Sequence, residues 1–94
     1  MFSIDEQKFI VDKIEKLKED IRNIENIDSL QFERINKKLD HIEEMVSKLN
    51  NIDWKNLFIG TIMSMMAGVA IPSDAHQHLW NLFKGFFSGV TLLK

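Results

Sequence analysis

Residues 21–35 read Ile-Arg-Asn-Ile-Glu-Asn-Ile-Asp-Ser-Leu-Gln-Phe-Glu-Arg-Ile, and how the chain passes through them decides the fold. Before them Ile10, Ile14, Leu17, Ile21 and Ile24 recur at steps of 4, 3, 4 and 3. After them Ile35, Leu39, Ile42, Val46 and Leu49 repeat the same steps. Each run is a heptad seam, which lines apolar side chains along one stripe of a helix. Ile24 and Ile35 are eleven residues apart, seven plus an extra four, so the register slips once. Either one continuous helix carries a stutter, or the chain turns back as a helical hairpin. The continuous helix is the first reading. The hairpin is the second, with Asp28 and Gln31 at capping spacing and a break near residues 26–29. Ser3 and Glu6 have the same spacing and start the first helix near Ile4. One helix in water cannot cover such a seam, so self-association is the expected way to bury it.

The chain has 94 residues, 45% apolar and 28% charged, with one proline, four glycines and no cysteine. That length holds one small core, and the Lys, Glu, Ile, Leu and Met alphabet is that of an all-α chain. Without cysteine there is neither a disulfide framework nor a thiolate zinc site. A net charge of -2 removes the usual electrostatic reason to bind nucleic acid.

The average hides two unlike segments. Ten of the twelve basic and thirteen of the fourteen acidic residues lie in residues 1–56. Residues 57–94 carry only Asp74, Lys84 and Lys94 as charges. The reading is therefore a charged coiled-coil segment over 1–53 and an apolar helical hairpin over 54–94, with helices about 54–71 and 74–93. The polar stretch from Ser3 to Lys8 does not read as a secretory leader. Charges along 1–53 read mainly as a solvated face with pairs such as Asp12 and Lys16.

From Asn56 to Ser73 no residue is charged, and a helix of that length spans about 27 Å against roughly 30 Å of hydrocarbon. Trp54 and Lys55 stand where interface anchors are wanted, Pro72 stops the helix, and Ser73 can cap the next. On the second helix Gln77, Asn81, Lys84, Ser88 and Thr91 form one polar stripe on an otherwise apolar surface. Gly60, Ser64 and Gly68 on the first, with Gly85 and Gly89 on the second, have the spacing that lets helices approach closely in lipid. A lysine in such a helix is costly. The stripe either faces a shared water-filled pore, so that Lys84→Glu would reverse ion selectivity, or rests in water beside an interfacial helix. The turn 72–78 lacks Lys and Arg, whereas Lys55 and Lys94 flank the hairpin, which places both ends of the chain on the cytoplasmic side of an inner membrane.

Catalytic and ligand constellations are thin. His76 and His78, at spacing two, point apart, and His41 sits at a seam edge. Glu43 and Glu44 are adjacent and do not form an acid/base pair. There is no phosphate loop or nucleophile elbow, so no enzyme, metal or cofactor is expected. Met63, Met65 and Met66 read as adaptable packing.

A charged coil followed by an apolar segment resembles the small phage haemolysin or holin-associated proteins, in layout over the whole chain and without residues to carry across. The leading expectation is an oligomeric membrane protein in which the coil assembles transmembrane hairpins into a pore or membrane-perturbing effector of toxin, lysis or defence type. Two alternatives stand beside it. One is a membrane-tethered scaffold whose coil recruits a cytosolic protein. The other is a helical assembly module whose apolar hairpin is the core of an oligomer.

Overall fold

The chain breaks where the register slips. In the computed structural model, which describes residues 2–68 and 72–91, the first helix α1 covers Ile4–Arg22 and α2 covers Ser29–Met45. Then α3 covers Asn51–Gly68 and α4 covers Ser73–Thr91. The continuous helix expected first is thus replaced by the hairpin, because both segments supply their own N-terminal caps. At α1 the Glu6 N–H donates to Ser3 Oγ at 3.1 Å and the Ser3 N–H donates to Glu6 Oε1 at 2.9 Å. At α2 the Gln31 N–H donates to Asp28 Oδ1 at 2.7 Å, and the Asp28 N–H donates to Gln31 Oε1 at 3.0 Å. Such caps satisfy amide groups that a helix start otherwise leaves unpaired, worth about 1 kcal/mol each.

A third cap was not foreseen. The Asp53 N–H donates to Asn50 Oδ1 at 2.8 Å and Asn50 Nδ2 donates to Asp53 Oδ2 at 3.0 Å, so α3 starts three residues before the expected position 54. The α4 helix takes Ser73 as its first residue rather than its cap, with the His76 N–H donating to the Pro72 carbonyl at 2.8 Å. Of the expected helices, residues 69–71 and 92–93 lie outside the described residues.

Short turns at 23–28 and 46–50 make neighbours antiparallel, and α4 packs back on α1 to close the ring. A single core runs through all four helices: Ile10, Ile14, Leu17 and Ile21 from α1, Ile35, Leu39 and Ile42 from α2, Trp54, Phe58, Ile62 and Met65 from α3, and Ala75, Leu79, Phe83, Phe86 and Val90 from α4. Ile24 and Val46 are buried beside the turns, and Leu49 packs partly against them. The seam residues are therefore covered by this chain's own helices. Burying each aliphatic side chain of that set stabilises the fold by about 1.5–3 kcal/mol.

This arrangement overturns the membrane reading. Among the described residues no helix is long and apolar enough to cross a membrane. The uncharged run 56–73 is not one helix: α3 takes in Asp53 and Lys55 and ends at Gly68, and Pro72 precedes a separate helix carrying Asp74 and Lys84. Trp54, read as an interface anchor, is fully buried in the core. The transmembrane hairpin, the ion channel or pore, the toxin, lysis or defence effector and the inner-membrane location with cytoplasmic ends all required a spanning helix and are set aside with it.

Candidate functional site

Two places on the bundle carry more than ordinary packing. The first is polar and lies across α1 and α2. Lys18, next to the seam residue Leu17, points at the flank of α2, where Asp40 and Glu43 stand beside Leu39 and Ile42. Its Nζ donates to Asp40 Oδ1 at 2.5 Å, to Glu15 Oε2 at 2.7 Å and to Glu43 Oε2 at 3.5 Å. Only 12% of the Lys18 side chain is exposed, so these pairs are less screened than the surface pairs Lys16–Asp20, Lys37–Glu33 and Lys48–Glu44. The Lys16 partner is thus Asp20 rather than Asp12.

The same crowding shifts the titrations. Partial burial works against the Lys18 charge, but the hydrogen bonds to Asp40 and Glu15 outweigh it and raise the pKa above the ordinary lysine value. The Lys18 hydrogen bond lowers Glu15. Glu43 is raised, first by burial and then by Glu15 beside it. Among the described residues Glu43 Oε1 is buried and has no hydrogen-bond partner. Burial and the neighbouring Glu15 carboxylate both disfavour the charged form of Glu43, and the Lys18 ammonium opposes them. Heptad spacing alone gives no sign of this cluster, although charges flanking both seams were the available signal. No group of three His, Asp or Glu among the described residues is placed to hold a metal ion, and His41, His76 and His78 are all exposed.

The second place is apolar and lies between α3 and α4. Their inner faces meet through aromatic rings, with Phe58 5.0 Å from Phe86 and stacked on Phe87 at 5.7 Å. Trp54 stacks on Phe58 at 5.7 Å, takes Phe2 edge-on at 5.7 Å, and donates through Nε1 to the Ile42 carbonyl at 2.9 Å. That carbonyl lies in the last turn of α2, where helix acceptors run out of amide partners. Outside this layer the packing stops short of the surface. Ile59 is 42% exposed, Met63 60% and Trp80 38%. With Phe83, Lys84 and Phe87 they line an open groove of about 320 Å³, and Met63 and Trp80 also border a second hollow beside Met66, Ala67 and His76. The exposed residues Ile4, Phe9, Leu30 and Ile52 do not line this groove.

The expected polar stripe keeps its periodicity but faces outward. Gln77, Asn81, Lys84 and Ser88 are exposed, and Gln77 Nε2 donates to Asn81 Oδ1 at 3.3 Å; the Thr91 side chain lies outside the described residues. The small residues do not mark close helix approach within the chain. Gly60, Ser64, Gly68 and Gly85 are exposed and Gly89 is half-buried, and a Cβ added at any of the four glycines would meet nothing within 4 Å. No family model matches the chain, and neither curated proteins nor solved structures give a match.

Proposed function

We propose that this chain is a helical assembly module in which α1 and α2 are the scaffold and the apolar α3–α4 hairpin is the surface through which copies associate. The observation that carries this reading is the clustering of exposed Ile59, Met63 and Trp80 at the α3–α4 groove, with Met63 and Trp80 shared by the adjoining hollow, whereas the exposed Ile4, Phe9, Leu30 and Ile52 line neither. Exposed apolar surface gathered in a groove marks contact sites on small proteins. The charged faces of α1 and α2, with their capped ends and cross-helix ion cluster, suit a support rather than a reactive centre.

Sedimentation equilibrium over a wide concentration range tests the reading. The wild type should form a defined oligomer, and Met63→Lys should remain monomeric with unchanged helical circular dichroism. A wild type that stays monomeric throughout, or a Met63→Lys protein that assembles equally well, would remove the α3–α4 face from the assembly.

A further inference from the structure

The face proposed above for self-association carries one charge that a second copy does not answer. Lys84 is exposed on the wall of the groove, between apolar neighbours on α3 and α4, and no carboxylate lines either hollow. Among the described residues Lys84 makes no ion pair. Two copies meeting face to face would bring two such lysines toward one apolar contact with no acidic residue on either lining. Desolvating an unpaired charge weakens an interface, whereas a complementary charge strengthens and orients it.

We infer that the α3–α4 groove takes an amphipathic helix of a partner protein that carries a carboxylate opposite Lys84, and that this helix displaces the second copy. The proposal rests on the assembly reading above and names the favoured occupant of the same face. Residues of α4 line the groove and the adjoining hollow along more than one helical turn. From His76 to Ser88 the α4 wall runs roughly 18 Å, about three helical turns, so apolar anchors at i, i+4 and i+7 can meet the exposed Met63 and Trp80 along its length. The four helices of this chain already bury their own apolar stripes in the core. Among the described residues no helix of the chain is left over to fill its own groove. Charge complementarity then selects among amphipathic helices, favouring those with Glu or Asp one turn from the outer anchors, at i+3, over those with Lys or Arg there.

The test uses the full chain and two synthetic helical peptides of about 14 residues. Both carry Leu anchors at i, i+4 and i+7, and they differ only in Glu or Lys at i+3. Calorimetric titration should show the Glu peptide binding at least about fivefold tighter than the Lys peptide, and Lys84→Glu should reverse the order. Sedimentation of the wild type should show the oligomer dissociating as the Glu peptide is added. Equal binding of the two peptides, or an order unchanged by Lys84→Glu, overturns the carboxylate-bearing helix. If neither peptide binds while the wild type still self-associates and Met63→Lys does not, the second copy is the occupant and only this inference fails. Charge-dependent peptide binding by a strictly monomeric wild type would keep the inference and remove self-association, and a monomer that binds neither peptide removes both.

Discussion

The α1–α2 pair and the α3–α4 pair are both antiparallel and both contribute one stripe to the shared core, but they finish their outer edges differently. Between α1 and α2 the edge is closed by charge, with Lys18 tied to Glu15, Asp40 and Glu43, Arg22 over the Phe32 ring at 5.0 Å, and a reciprocal cap at each helix start. Between α3 and α4 the inner edge is closed by stacked rings, and the outer edge is left apolar and open. Ion pairs at a seam edge both hold two helices and keep other proteins off, because the edge presents a hydrated surface. Rings join the inner layer but leave Ile59, Met63 and Trp80 exposed beyond it. The difference separates a face that is closed within the chain from one that leaves large apolar side chains exposed.

That contrast can be broken from either side, and the largest effect is expected at its aromatic centre. Trp54→Ala should cost about 3–5 kcal/mol in chemical denaturation, since it removes a fully buried ring that touches Phe2, Phe58 and Phe86 and leaves the Ile42 carbonyl without its donor. Trp54→Phe should retain most of the packing and lose about 1 kcal/mol for the hydrogen bond, and an equal loss in the two variants would show that the bond, not the ring, holds α3 to α2. On the charged side, Lys18→Met should cost about 1–3 kcal/mol, because three carboxyl groups are left together without their cation. Ser3→Ala and Asp28→Ala should each cost about 1 kcal/mol, and a much smaller loss at Asp28 would mean that the α1–α2 turn is fixed by packing alone.

A smaller effect concerns acidity. Because Glu43 has a raised folded pKa, the stability linked to its proton is present at acid pH and lost as the pH rises through that raised value, above the ordinary 4.5. Glu15 acts in the opposite sense, stabilising above its ordinary range and losing that contribution on acidification, while the Lys18 contribution disappears only above the ordinary lysine range. Glu43→Gln should therefore flatten the loss on the alkaline side of the ordinary carboxylate range and leave the acid-side loss from Glu15 in place. A Glu43→Gln stability profile that falls as steeply as the wild type over that interval would show that no proton is held on Glu43. The smallest effect on folding belongs to the open face: Met63→Lys should change stability by under about 0.5 kcal/mol.

Much of the backbone plan was legible in the sequence. The seams Ile10 to Ile24 and Ile35 to Leu49 are the stripes that α1, α2 and the turns after them bury; the capping word at Ser3 starts the helix it was expected to start, and the one at Asp28 starts the helix of the second reading, the hairpin. Heptad periodicity states that a stripe must be covered; it does not state by what. The covering surface proved to be in the same chain, because α3 and α4 bring their own stripes, Trp54 to Met65 and Ala75 to Val90. The uncharged run 56–73 misled for a related reason. Absence of charge was read as a need for lipid, whereas Asn50 starts α3 early and Trp54, Phe58, Ile62 and Met65 of that helix are buried in the shared core. The ion cluster and the open groove were not legible, since each depends on which side chains from different helices come to the same height.

Trp54 and Trp80 are the chain's only tryptophans, one fully buried and one 38% exposed. The molecule therefore carries two optical reporters with separate assignments. In a Trp80→Phe protein the remaining indole should emit at short wavelength and resist quenching by acrylamide, so its red shift follows the opening of the core. In a Trp54→Phe protein the indole that remains sits in the groove, and its spectrum follows what occupies that face while the bundle stays folded.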